Sequence, residues 1–469
     1  MSVPESSRCL VDYYRCPPEF VHLEVRSPQS SAPGYFRFGK ETTCFGRMAG
    51  QQPPQSPAMP LPDAAMDTRV ERGSVILPFD PGEVVDNLRL ENYAGARGSG
   101  SASLAGRLYY LLRPLLPVPV RRHLQKYRLR NWDQLPFPHW PVDFSADTLM
   151  ENLQLAVSRA SGRPIPFIWF WPEGHSACIL MTHDVEEAEG RDFCHTLMDL
   201  DEAYGFKASF QVIPEKRYAV SPEFLESIRA RGFEVDVHDL NHDGHLYRER
   251  SEFLRRVEKI NEYGRRFEAE GFRAGVLYRN QNWFDALDFS YEMSVPNVAH
   301  LDPQRGGCCT VMPYFIGKTL EIPVTTVQDY TLFNIFGDYS IDLWKKQTRL
   351  ILERHGLMSF IIHPDYVIEE RKRAVFESLL AYLATLVRNE GVWSATPSEV
   401  NRWWRERAAM QLVQRDGIWR IEGFGQERAR LAWASERNGR LVLTLEDREA
   451  RNEPWMAPAV ASQARKANA

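Results

Sequence analysis

The chain has 469 residues, 43% of them hydrophobic, and a formal net charge of −5. That length accommodates two or three domains with full cores, and the hydrophobic share excludes a disordered or fibrous protein. The small negative charge gives no broad field for nucleic acid or an anionic membrane, so neither is expected as a partner.

The first residues, MSVPESSRCLVDYYRCPPEF, carry no secretory signal pattern, and no stretch approaches the roughly 18 uninterrupted apolar residues of a membrane span. A cytoplasmic protein is expected. Seven scattered cysteines form no CxxC pair, which fits reduced thiols rather than a disulfide frame, and adjacent Cys308 and Cys309 read as small buried residues in a glycine-led turn.

Residues 1–164 read as an irregular accessory region. QQPPQSPAMPLP (51–62) and GARGSGSASLAG (95–106) are turn-rich, with short β pieces in YFRFG and SVILPF. Residues 107–130 mix apolar and basic side chains at helical spacing, broken by Pro114, Pro117 and Pro119. The prolines favour packing on the next domain over a continuous helix on a membrane surface, and peripheral membrane contact is the alternative.

From 165 to 405, short apolar runs alternate with amphipathic helices. ACILMTHD, FKASFQVI, FEVDVH, FRAGVLY, LEIPVTT and LMSFIIHP read as strands; PEFLESIRARG, the run from Arg250, SIDLWKKQTRLILERHG and ERKRAVFESLLAYLATLVRNEG read as helices. Gly232, Gly271, Gly356 and Gly391 are placed where left-handed helix caps would sit. This βα alternation predicts a parallel barrel or doubly wound sheet, with functional groups at the carboxyl ends of the strands. Residues 406–469 form a small β-rich C-terminal domain, in which GIWRIEGF, RLAWAS and RLVLTLED alternate like antiparallel strands before a polar tail. The aromatic clusters WFWP (169–172) and Trp403 with Trp404 are read as core packing ahead of a sugar-stacking surface.

Three strand ends carry the chemistry. EVDVHDLNHDGH (234–245) sets His238 at a strand's end and His242 four residues on, in a loop favoured by Asn241, Asp243 and Gly244. ACILMTHDVEE delivers Asp184 and Glu186, and LMSFIIHPDY delivers His363. Two imidazoles and a carboxylate suit a divalent ion with open coordination sites; a further carboxylate can take a proton from water, and an independent histidine can protonate a departing amine. That set points to metal-assisted hydrolysis. Asp184 as the N-cap of the following helix is the plain structural alternative.

With those residues in place, the segment from about 175 to 400 resembles the polysaccharide deacetylase family, carbohydrate esterase family 4. THDVE (182–186) is similar to its first motif, HDLNHDG (238–244) to its HxxxH, GFRAGVLYRN (271–280) to its arginine motif and FIIHPDY (360–366) to its last histidine motif, while NWFDALDFSYEMSVPN (282–297) stands where the fourth belongs. The resemblance implies an α/β fold, a distorted (β/α) barrel, that removes acetyl groups from N-acetylated sugars with a divalent ion, zinc first, cobalt, nickel or manganese otherwise. It implies Asp184 as catalytic base, His238 and His242 as metal ligands, His363 as general acid, Arg273 as the residue orienting the base, and Asp288 as the aspartate tuning the last histidine.

Two departures leave alternatives open. The family's first motif has adjacent aspartates, whereas Asp184 is followed by Val185, so either Glu186 supplies the metal oxygen or Asp184 binds metal and no base remains. The second is RAGV (273–276), with Gly275 where the family commonly has proline. A carbohydrate-binding relative without activity, or a hydrolase of a non-sugar amide using the same site, are the competing readings.

Overall fold

The computed structural model describes residues 4–98 and 131–446. The membrane-contact alternative for residues 107–130 lies outside them. Among the described residues, no helix is long and apolar enough to cross a membrane.

Nine strands form the central sheet: β1 (Cys178–Val185), β2 (Ala208–Val212), β3 (Glu234–His238), β4 (Gly271–Arg273), β5 (Tyr291–Glu292), β6 (Tyr314–Ile316), β7 (Thr319–Glu321), β8 (Leu357–Ile362) and β9 (Trp393–Ala395). Their order is β6-β7-β5-β4-β3-β2-β1-β8, with β9 also on β1, and every pairing is parallel except the β6–β7 hairpin. Strands β1, β2 and β8 are buried along their whole length, as expected of parallel strands covered on both faces.

The sheet curls into a distorted (β/α) barrel. Between the chain after β7 and strand β8 the closure is made by side-chain hydroxyls: Thr325 Oγ1 donates to Leu357 O at 2.7 Å, Thr326 Oγ1 to Ser359 O at 2.7 Å, and Ser359 Oγ to Pro323 O at 2.8 Å. Short polar residues fit this seam because each contributes a donor that a backbone out of register lacks.

One core cluster joins the accessory region and the C-terminal segments to residues of the barrel strands, among them Cys178 and Leu357 at the amino ends of β1 and β8. Strand Ile165–Ile168 pairs with Leu431–Arg437, which pairs in turn with Arg440–Leu445, so this small sheet draws residues from both sides of the expected boundary at 406. The base of the barrel is thereby covered. The aromatic clusters lie in this core: Trp171 and Trp403 are fully buried, and Trp403 Nε1 donates to Phe170 O. Cys308 and Cys309 are buried free thiols.

Two glycines depart from the cap expectation. Gly232 and Gly391 are left-handed, but Gly271 and Gly356 are not; near them Glu268 and His355 take the positive φ. Gly271 is needed for a different reason, since a Cβ there would fall 2.8 Å from the Asp236 carboxyl carbon and would overlap the Tyr291 ring.

Candidate metal and acid–base site

Sheet register gathers the chemistry at one level. Arg273 lies beside His238 across β4 and β3, and His183 pairs with Ile362 across β1 and β8, which sets Asp184 level with His363. Asp184 belongs to β1, and the helix Ala188–Ala203 that follows is capped at Glu187, so the N-cap alternative for Asp184 does not hold.

Three donors lie together: one ligand atom each from Glu186, His238 and His242, all within 4.8 Å of one another. His238 Nδ1 faces Arg273 O at 3.1 Å, which makes Nδ1 the protonated nitrogen and leaves the Nε2 lone pair turned to the carboxylates, 3.7 Å from Asp184 Oδ2 and 3.9 Å from Glu186 Oε1. His242 Nε2 is 3.0 Å from Glu186 Oε1. Both Nε2 atoms are buried, and neither has a well-aligned hydrogen bond; what each faces is carboxylate oxygen. Two imidazoles and a carboxylate facing one point are the donor set of a borderline divalent ion; the residues fit a metal.

The His242 loop is held from several sides. Asp239 and His242 take positive φ, 55° and 53°, and Asp243 accepts two hydrogen bonds from Arg256 on helix Arg250–Arg266, at 2.8 and 2.9 Å. Arg217 bridges the two metal-facing loops, donating to Glu187 Oε1 at 2.7 Å and to His242 O at 3.1 Å.

Asp184 borders the three-donor cluster, with Oδ2 3.7 Å from His238 Nε2, and turns its other oxygen to Arg273. Its Oδ1 accepts from Arg273 Nη1 at 2.5 Å, and the same nitrogen donates to Thr182 Oγ1 at 2.7 Å while Arg273 Nε donates to Met293 O at 3.0 Å. Burial pushes the Asp184 carboxyl up, but Arg273, with His238 and His363, more than offsets it and holds the group below its ordinary value. Burial likewise raises Glu186, and His242, His238 and His363 together bring it well below the carboxylate range.

His363 follows β8, with Nε2 3.5 Å from Glu186 Oε1. Its Nδ1 donates to Asp329 Oδ1 at 2.6 Å, and its backbone N–H donates to Asp329 Oδ2 at 2.8 Å. Asp329 is fully buried. The structure therefore corrects the expectation for Asp288, whose side chain is 61% exposed and lies 3.6 Å from Arg265 and 3.9 Å from Lys318. Its position just before β5 points it to solvent; the aspartate on His363 comes instead from the chain after β7. Asp288→Ala is accordingly expected to leave turnover unchanged and stability within about 0.5 kcal/mol, checked by chemical denaturation beside an activity assay.

No motif in the sequence marks Asp329, Arg217 or Arg256 for the site. His183 lies within β1, fully buried with Nε2 2.8 Å from Asp201 Oδ2. No family model and no curated protein matches the chain. Among solved structures, a protein of Mycobacterium smegmatis assigned as a polysaccharide deacetylase is 17% identical, with 53% of this chain and 96% of that one covered and a TM-score of 0.43. Puue allantoinase is 12% identical over 50% of this chain and 92% of that one, with a TM-score of 0.40. A Pseudomonas aeruginosa PAO1 protein assigned as a polysaccharide deacetylase is also 12% identical, over 49% and 91%, at 0.40. The chain is thus similar to polysaccharide deacetylase structures over about half its length, while its own strand order and closure define the distorted (β/α) barrel.

Proposed function

We propose that the protein is a metal-dependent hydrolase that removes acetyl groups from N-acetylated sugars. The observation that carries this reading is the convergence of the buried imidazole Nε2 atoms of His238 and His242 on the Glu186 carboxylate. Glu186, His238 and His242 would hold the ion. A divalent ion bound there lowers the pKa of water and polarises an acyl oxygen.

The chain's own residues supply the proton transfers. Asp184, kept ionised and oriented by Arg273, accepts the proton of the attacking water. His363, kept protonated by Asp329, gives its Nε2 proton to the nitrogen of the departing amine, so the C–N bond breaks with acetate and a free amino sugar as products. Thr182 and Met293 O fix the Arg273 guanidinium, so Asp184 does not have to reorient during the reaction.

The test is the metal content of the purified full chain by mass spectrometry, beside acetate release from N-acetylglucosamine oligomers and nucleotide-linked N-acetyl sugars. Near-stoichiometric metal with acetate release abolished by a chelator is the expected result. A chain that takes up neither zinc nor cobalt would overturn the reading.

A further inference from the structure

The loop that follows Arg273 is strained. Val276 and Leu277 take consecutive left-handed conformations, φ 62° and 51°, and for a β-branched residue such as Val276 this is rare outside positions that the surrounding structure enforces. The turn is also in intimate contact with the site. A Cβ on Gly275 would lie 2.6 Å from Asp239 Oδ2 and 2.8 Å from His242 Cδ2, so the bare glycine backbone forms the wall against which the His242 ring rests. At its other end Leu277 packs with Val324 and Ile361, two residues before His363.

What holds this turn comes from the accessory region. Glu91, just beyond helix Pro81–Arg89, grips Arg279 with both carboxylate oxygens: Arg279 Nε donates to Oε2 at 2.7 Å, and Nη2 donates to Oε1. The same guanidinium donates through Nη1 to Leu277 O at 2.9 Å, which ties the strained turn directly to the ion pair. Gly307 N donates to Glu91 Oε1 at 2.6 Å, and Gln304 brackets Arg279 by accepting from its N–H and donating to its carbonyl, each at 3.0 Å. Both side chains are nearly or fully buried, 9% and 0% exposed. Removing one partner of such a pair leaves a buried charge uncompensated.

We infer that Glu91 is a positioning residue for the metal site: through Arg279 it holds the turn Gly275–Tyr278 in its left-handed form, and the turn in turn sets the His242 ring. The inference rests on the metal-site reading above. It gives the accessory region a share in the chemistry, and it accounts for glycine at position 275, since any larger residue would push the ligand away.

The experiment compares full-length wild type with Glu91→Gln and with Glu151→Gln. Glu151 is the matched control, because its ion pair with Arg354 also joins the accessory region to the barrel but touches none of the site. Hydrogen exchange by mass spectrometry over segments 239–244 and 274–279 reads the turn without any metal, and cobalt titration reads ligand placement. Glu91→Gln is expected to exchange about tenfold faster in both segments and to bind cobalt about tenfold more weakly, with Glu151→Gln within about twofold of wild type. Unchanged exchange in Glu91→Gln, or equal loss in both variants, would overturn the inference. Should Glu91→Gln not fold, Arg279→Lys keeps the charge, loses the two-pronged grip and is expected to act in the same direction. If wild type binds neither cobalt nor zinc, the deacetylase reading fails and hydrogen exchange alone decides the positioning role.

Discussion

Asp184→Asn is expected to retain the metal and lose about 10²–10⁴-fold in turnover, the usual worth of a general base. Glu186→Ala and His242→Ala are expected to lose the metal itself, as read by mass spectrometry after dialysis. Glu186 shares a point with both imidazole Nε2 atoms, whereas Asp184 has Oδ1 on Arg273 and approaches only His238, with Oδ2 3.7 Å from Nε2. Metal retained in Glu186→Ala but lost in Asp184→Asn would reverse the two roles and remove the base from the mechanism. The unusual first motif, with Val185 between the two carboxylates, thus becomes a statement about which one coordinates and which one takes the proton.

The second large effect lies at Asp329. Burial alone would lower the His363 pKa, but the Asp329 carboxylate, with a contribution from Glu186, raises it well above the ordinary histidine value. A raised folded-state pKa means that the stability linked to the imidazolium is fully present below about pH 6.5 and is lost as pH rises through the folded value. Asp329→Asn is therefore expected to move the alkaline limb of the kcat/KM profile to lower pH, and to shrink the stability difference between pH 6 and 9. Turnover at pH 8 should fall about 10- to 100-fold, because fewer molecules hold the proton and the ring loses its anchor. A profile that keeps its alkaline limb in Asp329→Asn would show that another group is the acid.

The barrel half was readable because parallel buried strands announce themselves locally. The strands CILMTHDV and LMSFII are mostly apolar, with His, Asp or Glu within or just after their last residues, so β1, β3 and β8 and their terminal side chains followed from periodicity and composition. The loop placement of His242 followed from Asn241, Asp243 and Gly244, and the structure has His242 and Gly244 left-handed there. FRAGVLY shows the limit of that reasoning, since only Gly271–Arg273 is strand and the rest is the strained turn that Arg279 and Glu91 hold. Nothing local announces such a turn, because the cost of a left-handed valine is met by an ion pair whose two partners, Arg279 and Glu91, stand 188 residues apart in sequence.

Asp329 and Asp288 show the same division. Both are aspartates between barrel elements, and position along the chain favoured Asp288, yet the sheet order β7-β5-β4 carries the chain after β7 past β8 and brings Asp329 to His363. What the amino-acid order determined by itself was the set of strand ends and the chemistry they carry: His238, His242, Asp184, Glu186 and His363 at the mouths of three separate βα units. What only the tertiary structure decided was the pairing among distant groups that no motif links: Asp329 with His363, Glu91 with Arg279, and the terminal segments with the barrel base. The reason is physical. Strand formation and burial depend on near neighbours and recur with a short period, whereas a hydrogen bond or buried ion pair depends on which loops the sheet's closure sets within about 3 Å of each other.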